Sequence, residues 1–175
     1  ALIAGVHKGF TAPSNAEGVR EEEAINYEFG FRRRSDSRRL EVIGFLSDYD
    51  NLLGECTASS GANCEVGDAF NGNAVTVRGV EIIAGTDLAG SNIPLEIAYT
   101  YIDGSFDTDI ADTAFFGDVS TGDSIPYIPK HQLHAMIGFV QPQWAVHFSA
   151  NYVDETCVRA ACGAYEITDS SFTLD

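Results

Sequence analysis

Four long connections alternate with three short ones between runs of alternating apolar and polar residues, and this rhythm constrains the fold more than any motif. The long connections are 11–24, 48–73, 103–124 and 154–169, and the short ones are 35–39, 87–92 and 140–143. Loops of the first kind are uncommon within compact domains. An antiparallel meander with this rhythm puts every long loop on one edge and every tight turn on the other. That asymmetry is the mark of a transmembrane β-barrel.

The strands follow a period of two. Aromatic and polar or small residues alternate from Tyr27 to Arg32, and again from Leu95 to Tyr101. Leu133, Ala135, Ile137 and Phe139 oppose Gln132, His134, Met136 and Gly138, and after a Gln141-Pro142 turn Trp144, Val146, Phe148, Ala150 and Tyr152 oppose His147, Ser149 and Asn151. Ala1 to Phe10 and Ser171 to Asp175 read as strands too. Leu40 to Leu46 and Ala74 to Thr86 are apolar on both sides in part, which leaves the facing of 74–86 open. The expected fold is all-β: one domain over 1–175, an antiparallel meander of about eight strands. Tyr27, Tyr99, Tyr101 and Tyr152 fall toward the loop ends of their strands, and Phe139 and Trp144 flank a short turn, as in two interfacial girdles. No apolar run approaches the roughly 18 residues of a membrane-spanning helix, which does not count against a barrel.

Charge is sorted between the two edges. The four long loops hold 19 of the 26 acidic residues and only two of the ten basic ones, Arg20 and Arg159. Such a rim excludes nucleic-acid binding, which needs a basic footprint. It reads as a solvated surface, with a divalent-cation site at Asp103, Asp107, Asp109, Asp112 and Asp118 as the sharper alternative. Their spacing does not match a twelve-residue calcium loop.

Cys56 and Cys64 lie in one long loop and Cys157 and Cys162 in another. Local pairing of each set is the simplest of three connectivities and fits an extracytoplasmic setting. The spacings suit a four-thiolate zinc site poorly. No nucleophile elbow, phosphate-binding loop, dinucleotide fingerprint or zinc-protease motif is present, so no catalytic residue, resident metal or cofactor is assigned. His131 and His134 are three apart, on opposite faces of a strand, and cannot chelate together. His134 and His147 fit a polar lumen lining, where Glu28, Glu81 and Glu96 could pair with Arg32 or Arg78.

Gly9-Phe10-Thr11-Ala12-Pro13-Ser14, with Glu23 leading into Asn26-Tyr27-Glu28-Phe29-Gly30, resembles a loop-and-strand passage in the late barrel of TonB-dependent outer-membrane receptors. Further pieces follow in the family's order: Phe45 with Asp48-Tyr49-Asp50-Asn51-Leu52, then Val77-Arg78-Gly79-Val80-Glu81, then Tyr99-Thr100-Tyr101 with Pro126, Pro129 and His131. The loop from Gly54 through Cys56 and Cys64 to Gly72 is similar to a cysteine-bracketed loop in the ferric-dicitrate branch.

The resemblance implies uptake of an iron chelate, ferric citrate or a siderophore, across the bacterial outer membrane, with long loops extracellular. In this family a 22-stranded barrel is closed by a plug on which the TonB complex pulls. The chain lacks plug and closing strands, so a fragment of about eight strands is expected, with TonB reached through the missing plug. Its other expected partners are outer-membrane lipid and lipopolysaccharide. Arg20 and Arg159, the only loop cations, are the expected contacts of an anionic chelate. Two alternatives stand beside this. A complete small eight-stranded barrel with a structural or adhesion role requires its first and last strands to pair. A secreted β-sandwich binding module requires Leu133, Ile137, Trp144, Phe148 and Tyr152 to be buried between two sheets.

Overall fold

The computed structural model describes residues 1–12, 18–56, 65–88, 92–113, 117–160, 162–163 and 166–175. In chain order the strands are β1 Leu2–Thr11, β2 Glu22–Arg34, β3 Arg38–Tyr49, β4 Leu53–Glu55, β5 Ala69–Asn71, β6 Val75–Asp87, β7 Pro94–Phe106, β8 Ile110–Thr113, β9 Gly117–Val119, β10 His131–Gln141, β11 Trp144–Val153, β12 Thr156–Cys157, β13 Ile167–Thr168 and β14 Ser171–Leu174. Eight of them form one antiparallel sheet in the order β1-β2-β3-β6-β7-β10-β11-β14. The remaining six form three two-stranded hairpins, β4-β5, β8-β9 and β12-β13, all within the long connections. Sequence periodicity treats those connections as plain loops; the hairpins are too short to show a period.

Register sorts the side chains. One row runs Leu2, Phe31, Val42, Ile82, Tyr99, Leu133, Tyr152, Phe172 through all eight strands, apolar throughout. The next row, one residue along, runs Ile3, Gly30, Ile43, Glu81, Thr100, Gln132, Val153, Ser171 on the other face. One residue from the first row in the opposite direction, Arg32, Glu41, Ile83, Ala98, His134, Asn151 and Thr173 also stand on that second face. The sheet therefore has one apolar and one mixed, largely polar face. The facing of β6 is settled: Val80, Ile82 and Ala84 stand on the apolar side, Glu81, Ile83 and Gly85 on the polar side.

The apolar side is uncovered. Leu2, Phe29, Leu133, Trp144, Phe148 and Phe172 are all exposed on it, Phe29 at 67% and Phe148 at 56%. The β-sandwich is overturned by this, since its core residues Leu133, Trp144 and Phe148 face outward from a single sheet. The complete small barrel is overturned too, because β1 and β14 stand at opposite ends of the strand order and do not pair with each other among the described residues.

Among the described residues, the one buried apolar cluster lies at the long-loop edge. Val75 and Phe106, direct cross-strand partners on the polar face, pack with Val119, Ile125 and Ala160, and with Tyr49, Leu52, Phe70 and Val77 around them. Apolar burial there comes from loops folding back over strand ends.

Candidate functional site: the long-loop rim

The four long loops are tied to the sheet and, in two pairs, to one another by specific bonds. Asn51, buried just past β3, donates from Nδ2 to the carbonyls of Arg20 (3.3 Å) and Glu21 (3.2 Å) and to Asn71 Oδ1 (3.0 Å). Asn71 in turn accepts from the Arg20 amide at 2.9 Å and donates to the Gly18 carbonyl at 2.9 Å. Glu22 accepts from the Leu53 amide at 2.9 Å. The loop after β1 is thereby fastened to the β4-β5 hairpin, which satisfies backbone groups that no ladder reaches.

The loop after β7 doubles back along that strand. Phe106 donates to the Asp123 carbonyl and Ile125 to the Gly104 carbonyl, both at 3.0 Å, and Ser105 bridges Ser124. Asp109 accepts from both the amide (2.7 Å) and the hydroxyl (2.8 Å) of Thr121. These two bonds, the backbone one first, hold its carboxyl below the usual aspartate range. Tyr127, exposed and held at φ 61°, donates its amide to the Cys157 carbonyl at 2.8 Å and so joins this loop to the one after β11. A non-glycine residue at positive φ is uncommon and marks a position fixed by its surroundings. Nothing in the sequence around Tyr127 signals it.

Arg20 is exposed in the loop leading into β2, where only its backbone is used for the bonds to Asn71 and Asn51. Arg159 reaches Glu166 of its own loop at 3.5 Å. Their loops adjoin β2 and β11, five places apart in the sheet, roughly 24 Å at about 4.8 Å per strand. Cys157 and Cys162 are joined by a disulfide. Cys56 is disulfide-bonded and buried, whereas Cys64 lies outside the described residues.

The acidic residues do not converge. Asp103 takes Arg78 (2.9 Å) and Lys130 (3.6 Å), Asp107 accepts from Thr76 (2.8 Å), and the side chain of Asp112 lies outside the described part. Among the described residues no three His, Cys, Asp or Glu side chains are placed to hold a metal. The lumen pairs also differ from expectation. Arg32 binds its direct partner Glu41, and Glu96 binds Arg39. Arg78 stands on the apolar face at its loop end, so its pair with Asp103 belongs to the rim. Glu28 and Glu81 make no ion pair among the described residues. His134 bonds Asn151 at 2.7 Å on the polar face, and His131 bonds Tyr99 at 2.8 Å on the apolar face. The opposite facing of the two histidines follows from the period of two.

All residues, 1–175, match the model of the family described as TonB dependent receptor-like, beta-barrel. Among solved structures the chain is similar to the copper transporter OprC, with a TM-score of 0.72 and 15% identity over 99% of this chain and 28% of that one. It is also similar to the ferric yersiniabactin uptake receptor FyuA from Yersinia pestis, at 0.62 and 18% over 99% and 26%. A mutant of the ferric enterobactin receptor PfeA from Pseudomonas aeruginosa gives 0.58 and 16% over 90% and 23%. No curated protein matches. The chain spans about a quarter of the length of each of these structures, and at such identities the likeness speaks for the fold alone. With the family model matched from end to end, the chain belongs to the TonB-dependent receptors, of whose β-barrel it forms eight consecutive strands.

Proposed function

We propose that this chain is a wall segment of a bacterial outer-membrane receptor that takes up a metal chelate with energy supplied by the TonB complex. The observation that carries the reading is the eight-strand row from Leu2 to Phe172, an uninterrupted apolar belt backed by a face bearing Arg32, Glu41, Glu81, His134 and Asn151. A bilayer on one side and an aqueous lumen on the other demand that division. The long loops then face the exterior and the short turns the periplasm. β1 and β14 carry bare edges that pair with further strands of the same barrel, since each unsatisfied backbone group in hydrocarbon costs several kcal/mol.

The ligand we favour is an iron chelate, ferric citrate or a siderophore. Of the similar structures, one is named as a ferric-chelate uptake receptor, one as a ferric-chelate receptor and one as a copper transporter. Arg20 and Arg159 are the loop cations that would meet an anionic chelate, and the plug supplies the remaining contacts and the link to TonB. Uptake of radiolabelled ferric citrate and of ferric siderophores by cells expressing the full receptor, with and without a working TonB complex, tests this. TonB-dependent uptake of one ferric chelate is expected. TonB-dependent uptake of copper alone would overturn the iron reading, and no TonB-dependent uptake of any metal would overturn the transport reading.

A further inference from the structure

Five arginines, Arg32, Arg33, Arg34, Arg38 and Arg39, flank the short turn between β2 and β3, and the register divides them between the two faces. On the polar face Arg32 and Arg39 are neutralised by Glu41 and Glu96. On the apolar face, Arg33 pairs in register with Leu40, and Arg38 follows two residues from Leu40 on the same side. Both are exposed and make no ion pair among the described residues. Between them opens a groove of about 780 Å³ whose floor includes Leu40, Ala84, Leu95 and Ile97. Two unneutralised guanidinium groups thus stand at the end of an aliphatic trough, at the level where this sheet meets its short turns.

We propose that this groove holds an anionic phospholipid of the periplasmic leaflet, its phosphodiester on Arg33 and Arg38 and an acyl chain along Leu40, Ala84, Leu95 and Ile97. The proposal rests on the membrane reading given above. Guanidinium groups bind phosphate oxygens by paired charged hydrogen bonds, and the trough supplies the apolar area that a free phosphate cannot use. Asp36 and Asp87 also lie at this turn. Asp87 itself lines the groove: it pairs in register with Pro94, its amide donates to the Ser37 carbonyl at 3.0 Å, and its carboxylate makes no ion pair with Arg33 or Arg38. Arginines that merely reach up to the headgroup level would accept any headgroup alike. A charge-selective groove would not.

The test uses the full receptor purified from outer membranes, offered equal amounts of dioleoylphosphatidylglycerol and dioleoylphosphatidylcholine, with retained lipid read by native mass spectrometry. Phosphatidylglycerol should be retained several-fold over phosphatidylcholine. The preference should vanish in Arg33→Ala/Arg38→Ala, persist in Arg34→Ala on the other face, and weaken in Ala84→Trp, which fills the trough without changing charge. Equal retention of the two lipids by the wild-type protein would overturn the site, as would a double variant that keeps the preference. Displacement of the lipid by millimolar inorganic phosphate would reduce it to an anion site without a lipid. Recovery of folded protein from the outer membrane is scored separately. Its failure would refute the membrane reading, whereas equal lipid retention by correctly inserted protein would refute the groove alone.

Discussion

Arg39 reaches across Gly85 to bind Glu96, two strands away. Arg39 pairs in register with Gly85, and Gly85 with Glu96, so the three lie on one row of the polar face. A Cβ at position 85 would stand 2.7 Å from Arg39 Nε, in the path of the side chain. Gly85→Leu should therefore separate the ion pair. Both partners are partly exposed, so the loss should stay under about 1 kcal/mol. Urea unfolding of the full barrel in detergent checks this, and Glu96→Gln should cost a similar amount. A much larger loss for Gly85→Leu alone would mean that the position matters for backbone packing instead.

Phe148 and Ser149 are neighbours in β11 that stand on opposite faces. Phe148→Arg should cost about 2 to 4 kcal/mol if the residue lies near the bilayer midplane. Ser149→Arg, facing the aqueous side, should cost under about 1 kcal/mol. Folding titrations of the full receptor into lipid vesicles compare the two. Equal costs would contradict the assignment of faces.

The clasp between Asp109 and Thr121 depends on an ionised carboxylate. The folded carboxyl titrates below its unfolded value of 3.8. Its contribution is therefore complete above that pH and is lost as pH falls through the lower, folded value. The Thr121 amide should stay slow to exchange with deuterium at pH 5 and lose protection on acidification below the folded value. In Asp109→Asn that step in protection should be absent.

The Cys157–Cys162 disulfide closes a ring within one loop, at a sequence separation of 5. In the chain-entropy model so short a ring is worth roughly 2 kcal/mol, all of it confined to the loop after β11. Cys157→Ser/Cys162→Ser should speed proteolysis between 154 and 170, where Arg159 and Glu166 lose their fixed spacing. The thermal transition of the barrel should stay in place. A matching fall in barrel stability would show that the loop braces the sheet.

Strand number and loop rhythm are legible in the sequence because a period of two is a local property. The β10-β11 hairpin, for instance, can be read directly from Leu133 to Tyr152. The facing of β6 is not, because Val77 and Ile83 put apolar side chains on the polar side and blur the alternation. Ion pairs are legible as residue types but not as partners. Arg39 and Glu96 are 57 residues apart and meet only through the register of three strands. Two features of the rim escape for a similar reason. The Asn51 fastening joins residues 30 positions apart, and the buried pair Val75 and Phe106 depends on Phe106, which pattern alone leaves in the connection 103–124.

Lipid against one face of this sheet and water against the other would give successive residues of β6 alternating surroundings. Single cysteines at 80, 81, 82, 83 and 84 of the full receptor in bilayers would carry nitroxide labels, with collision rates measured for oxygen and for a water-soluble nickel chelate. Positions 80, 82 and 84 should favour oxygen, and 81 and 83 the nickel chelate. A flat profile, or one shifted by a single residue, would contradict a lipid face and a water face on this sheet.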